Sequence, residues 1–246
     1  MSNWDVLIDE SALASVLPEV YARYRPPVRS ALAAFLAGLP PGDQEAVLAD
    51  QAALPWTASP ERRLAALAQS CPALQKLGQV AARDRRLSAE VREHLQALES
   101  LPASVPLDAI RQTLDRELGP LESRGVTLLP PAIAEASVAV VIPVRYDRPP
   151  SGVPPREGVF KLLKPGIEER LEHELRLLEA VGTLLDARCD EFQIPHLDYH
   201  DAFEQVRSKL GQEIRLDLEQ QHLQKARDFF RGDPTVLVPE PFPELC

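Results

Sequence analysis

The stretch Gly158-Val159-Phe160-Lys161-Leu162-Leu163-Lys164-Pro165-Gly166 decides how the chain is read. A short apolar run that begins at glycine and stops at Pro-Gly has the length and punctuation of a β-strand. Lys161 sits in the middle of it. A buried ammonium is costly to desolvate unless an anion and a carboxylate meet it, so the stretch predicts both partners nearby. The long acidic helical region downstream, with Glu213 and Glu219, supplies the carboxylate. The arrangement suggests a nucleotide site.

Upstream, Val126-Thr127-Leu128-Leu129 is strand-like, and Val138 to Tyr146 is rich in β-branched residues. Asp147 to Glu157, dense in proline, reads as the loop joining that strand to the one bearing Lys161, so the three form a small antiparallel sheet. Downstream, Ile167, Leu171, Leu175, Leu178 and Val181 mark an amphipathic helix. A second helix is expected from Asp198 to about Phe230, with Phe203, Val206, Leu210, Ile214, Leu218 and Leu223 inward. Thr235 to Pro239 is expected to be a last strand. From Asp9 to about Gly119 the apolar period is helical, and prolines cut it into short helices. Ser59-Pro60 is one cap-and-start signal and Gly119-Pro120 one stop.

The 246 residues carry 24 prolines and are only 5% aromatic, which favours Leu/Ala/Val-packed helices over a sandwich or barrel. With 27 basic against 37 acidic residues, the formal charge of -10 argues against a phosphate-backbone footprint, so nucleic acid is an unfavoured partner. Cys71, Cys189 and Cys246 form neither a disulfide framework nor a zinc ribbon, which suits a reducing cytoplasm. The start, Met1 to Asp5, lacks a signal-peptide pattern, and the apolar run Ala31 to Leu39 is too short to span a bilayer. Peripheral membrane contact stays open.

Five landmarks follow one another: Lys76-Leu77-Gly78-Gln79, Ala134-Glu135-Ala136-Ser137, Lys161 with Pro165-Gly166, Glu213-Ile214-Arg215 with Glu219, and Val238-Pro239-Glu240 running to Glu244-Leu245-Cys246. In that order they resemble the UbiB/AarF family of atypical, protein-kinase-like proteins, linked to ubiquinone biosynthesis and lipid homeostasis. The resemblance implies an α+β, mainly helical fold. A helical extension (1–125) would carry the KxGQ motif and be followed by a protein-kinase-like N-lobe (126–246) of small sheet plus αC-type helices, with the C-lobe absent.

The resemblance also implies roles. Lys76, Gly78 and Gln79 match the KxGQ motif, which in relatives lies over the nucleotide site and blocks protein substrates. Ala134, Ala136 and Ser137 match the alanine-rich loop that replaces a glycine-rich one, with Glu135 where the family usually has alanine. Lys161 matches the phosphate-contacting lysine and Glu219 its ion-pair partner on αC. Glu213 opens an ExD motif whose aspartate is replaced by Arg215. On one helix, Glu213 and Glu219 would project about 120° apart, one toward Lys161 and the other toward Lys76. ATP and Mg²⁺ are the implied cofactors, with Mg²⁺ ligands expected from the missing C-lobe. The chain is therefore expected to bind nucleotide without turning it over, and its partners would be lipid- or quinone-pathway proteins or a membrane surface.

Two other readings compete. One is a non-catalytic helical protein that docks a partner or a membrane. The other is a metal site in His196-Leu197-Asp198-Tyr199-His200-Asp201, against which stands Asp198 as a helix N-cap with Asp201 in the first turn.

Overall fold

The computed structural model describes residues 4, 7–99, 103–147 and 156–245. Most of the predicted Asp147–Glu157 loop, the first residues of the chain and Cys246 lie outside that set. Helix dominates, beside one four-stranded antiparallel sheet. The chain divides into two compact units, each made of two separate stretches: 1–101 with 166–210, and 102–165 with 211–246. These units cut the chain differently from a boundary at residue 125, because residues 166–210, which follow the sheet's last strand, return to the first unit.

In the first unit the prolines act as helix starts. The helices are α1 (Glu10–Val16), α2 (Arg25–Gly38), α3 (Pro41–Ala53), α4 (Pro60–Gln69), α5 (Pro72–Ala81) and α6 (Ala89–Gln96). Of these, α2, α3, α4 and α5 carry proline in the first turn, where a missing N–H costs nothing. Ser59 caps α4 by accepting from Arg62 N at 3.3 Å. Two later helices complete this unit's packing. They are α8 (Ile167–Ala187) and the start of α10 (Tyr199–Glu213), joined through the short α9 (Cys189–Phe192). Helix α8 packs on α2 and α5.

The second unit holds the sheet. Its strands are β1 (Val126–Leu128), β2 (Ala134–Glu135), β3 (Ala139–Tyr146) and β4 (Arg156–Leu163), and β3 pairs with all three others. Helix α7 (Leu107–Leu118) covers one face. There Ile110, Leu114 and Leu118 meet Val140, Ile142, Val144 and Leu162, and Leu245 packs into the same core. Gly119 ends α7 at φ 76°, in a region open to glycine and strained for other residues.

Three expectations are corrected. The single helix from Asp198 to Phe230 is two, α10 and α11 (Leu216–Phe229), because Arg215 leaves helical backbone at ψ 71°. The projection of Glu213 and Glu219 from one helix therefore fails. Thr235 to Pro239 is not a strand. Asp233 takes the Thr235 N–H and hydroxyl in a local turn, and Leu237 is 96% exposed, with no strand beside it among the described residues. Lys161 is not buried either, since its side chain is 41% exposed on the sheet face away from α7.

Candidate nucleotide site

Register builds the site from the sheet. Ala134 pairs with Val141 and Val141 with Lys161, so the three form one row across β2, β3 and β4. In the next row Glu135 pairs with Val140 and Val140 with Leu162. Successive strand residues point to opposite faces. Val140 and Leu162 belong to the core under α7, so Glu135 shares that face while Ala134 and Lys161 occupy the other.

On the outer face, Lys161 Nζ lies 2.5 Å from Glu219 Oε2, an ion pair between residues 58 apart in sequence. Glu219 stands in the first turn of α11, where the helix dipole favours an acid. Both side chains are over two-fifths exposed. A pair so exposed is worth only about 0–1 kcal/mol, so the partners satisfy one another at the surface rather than in a dry interior. The pairing predicted by sequence is present, but burial was the wrong reason for it.

Glu135 answers a difficulty of its own making. An acid inside the alanine-rich segment would repel phosphate, yet its carboxylate is 5% exposed and turned to the α7 face. There it meets Lys164 Nζ at 2.7 Å and accepts from Ser104 N at 2.6 Å. Burial pushes this carboxyl's pKa up, but Lys164 and the Ser104 N–H outweigh it and hold the group below the ordinary glutamate range. Ala136 N donates to Ala139 O at 2.8 Å, which makes the segment a tight β2–β3 turn with Ser137 buried at its tip.

The other predicted residues are placed as follows. Lys76, Gly78 and Gln79 lie on α5 in the first unit, and Glu213 ends α10 in the second. A Cβ on Gly78 would come within 3.1–3.2 Å of Leu98 and Leu95 side chains, and Gln79 Nε2 donates to Leu98 O at 3.2 Å, so both serve close packing within their unit. Arg215 forks onto Asp217 at 2.7 and 2.8 Å. Asp198 caps α10 as expected, accepting from Asp201 N at 2.7 Å, and Asp186 accepts from the Tyr199 and His200 N–H groups. No cluster of three His, Cys, Asp or Glu suited to a metal occurs among the described residues. No helix there is long and apolar enough to cross a membrane.

Sequence reasoning missed Lys164, Ser104 and a fully buried carboxylate, Glu174 on α8. Glu174 Oε2 accepts from Ala73 N at 2.8 Å, capping α5 where Cys71 offers no side-chain cap. Arg170 reaches its other oxygen at 3.1 Å and also bonds Ser70 O. The signal was there, because Glu174 falls on the apolar stripe Ile167, Leu171, Leu178, Val181 with an arginine four residues earlier.

A small sheet bearing a lysine–glutamate pair with an αC-type helix, preceded by a helical extension, defines the class as a protein-kinase-like N-lobe. The ABC1 atypical kinase-like domain matches residues 99–246, and the chain belongs to that family. It is 28% identical over 180 residues to a probable protein kinase UbiB of Xanthomonas oryzae pv. oryzae (strain MAFF 311018), covering 71% of this chain and 31% of the relative. A probable protein kinase UbiB of Marinobacter nauticus is 26% identical over 75% of this chain and 34% of its own length. A chloroplastic, uncharacterized aarF domain-containing protein kinase of Arabidopsis thaliana is 30% identical over 56% of this chain and 24% of its own. The chain thus spans about a third of the length of the curated relatives it matches. No solved structure matches it.

Proposed function

We propose that this chain is the nucleotide-binding part of a UbiB/AarF-like atypical kinase or ATPase serving ubiquinone or lipid metabolism, in the cytoplasm or at a membrane surface. The observation that carries the reading is the Lys161–Glu219 pair on the open face of the sheet, in one row with Ala134. Lys161 would meet the phosphates of ATP, Glu219 would hold its ammonium in place, and the small residues Ala134, Ala136 and Ser137 would let backbone approach them. Mg²⁺ would neutralise phosphate charge in the same complex. Helix α5, with Lys76, Gly78 and Gln79, would belong to the regulatory extension, and Glu213 would be a regulatory residue of the second unit.

A thermal-shift titration with ATP and Mg²⁺ tests this. Saturation at about a hundredfold over the dissociation constant stabilises by about 2.7 kcal/mol, which for a chain this long raises Tm by about 5–10 °C. Lys161→Ala should abolish the rise while leaving the ligand-free Tm within a degree or two, because the exposed pair contributes so little to stability. Equal shifts in both proteins would refute the assignment.

A further inference from the structure

We propose that Glu135 is a positioning residue for the alanine-rich turn, acting from the face of the sheet opposite Lys161. What the turn is for rests on the nucleotide reading above; that Glu135 fixes the turn does not.

The carboxylate joins three pieces of the second unit that are distant in sequence. It accepts from Ser104 N at 2.6 Å, from Ser104 Oγ at 3.1 and 3.2 Å and from Val105 N at 3.3 Å, just before α7. It meets Lys164 Nζ at 2.7 Å, just past β4. Lys164 is committed twice, because its own N–H donates to Val138 O at 3.0 Å, on the far side of the turn that Ala136 N closes onto Ala139 O. The turn is therefore held at Ala136, at Val138 and, through Lys164, at Glu135. To shift it, the chain must part a nearly buried ion pair, which is costly when one charge is left behind. Ala134 on the outer face and Ala136 in the turn are too small to fix a backbone by packing, so the rigidity comes from behind the sheet.

Amide hydrogen exchange by NMR on the 246-residue chain separates this from ordinary stabilisation. Ser104 and Val105 lose their acceptor in any Glu135→Ala protein and decide nothing. The deciding amides are Ala136 and Lys164, which bond to backbone oxygens, with Leu129, bonded to Pro143 O at the other end of β3, as reference. Glu135→Ala should speed exchange at Ala136 and Lys164 about tenfold or more and leave Leu129 unchanged, as expected for local opening. Glu135→Gln keeps an acceptor but loses the charge for Lys164, and should fall between. ATP·Mg²⁺ affinity should drop in the same order.

Unchanged exchange at Ala136 and Lys164, or acceleration matched at Leu129, would overturn the proposal. If Glu135→Ala does not fold, Glu135→Gln decides on the same amides by the same criterion. Should the wild type respond to ATP no differently from Lys161→Ala, the nucleotide reading fails, while the exchange result still judges Glu135.

Discussion

At the scale of single residues, Glu174 gives the sharpest prediction. Burial pushes its pKa up from about 4.5 to about 7, although the Ala73 N–H and Arg170 pull it down. The folded chain thus keeps a proton that the unfolded chain sheds, and stability falls as pH rises from about 4.5 to about 7, then levels. The loss is at most about 3 kcal/mol at 1.36 kcal/mol per pKa unit. Glu174→Gln keeps an acceptor for Ala73 and should remove this fall, so its stability relative to wild type, from urea unfolding at several pH values, should rise across that window. A constant difference would contradict the assignment. Lys161 and Glu219 were legible as a pair through the family resemblance and not through the cost of burying a lysine. That cost never arises, since β4 alternates and Lys161 falls on its open side, 41% exposed. Lys164 and Ser104 were illegible, as only strand register reveals which face Glu135 takes.

At the scale of elements, two glycines give opposite predictions. Gly182 lets α8 approach the start of α10: an added Cβ would lie 2.8 Å from His200 Cα and 3.1 Å from its N, both backbone. Gly182→Ala should therefore destabilise by about 1–3 kcal/mol, as overpacking does, read as a fall in denaturant midpoint. Gly211 on α10 has nothing within 4 Å of its would-be Cβ. Gly211→Ala should stabilise by about 0.5–1 kcal/mol through reduced freedom of the unfolded chain. Strands β1, β3 and β4 were readable from β-branched runs and the Pro-Gly stop. The break before α11 was not, because Ile214 and Leu218 continue the helical period across it; the apolar pattern records burial, and Arg215 departs from helix without interrupting that pattern. Val236 to Val238 imitated a strand, but a strand needs a neighbour, and composition does not supply one.

At the scale of the whole chain, the two units alternate along the sequence. Helix α2 in the first unit needs α8, against which Gly38 packs so closely that a Cβ would strike Leu177. A fragment of residues 1–125 lacks Leu171, Leu178 and Val181, all buried in the full chain. It should show helical circular dichroism but no cooperative thermal transition, whereas 1–246 should melt sharply; a sharp melt from the fragment would show that the N-terminal helices close without α8. Fold class was legible here because proline-cut helical periods precede a β-branched stretch. The alternation was not, since linear reading assigns neighbours in sequence to neighbours in space.

That interleaving bears on how the chain is made. The first unit cannot close until Leu210 has left the ribosome, long after Leu101 has emerged. At about 5–20 residues per second, its early helices wait on the order of ten seconds with apolar stripes uncovered. A nascent chain in that state is a client for chaperones, and slower translation would lengthen its exposure.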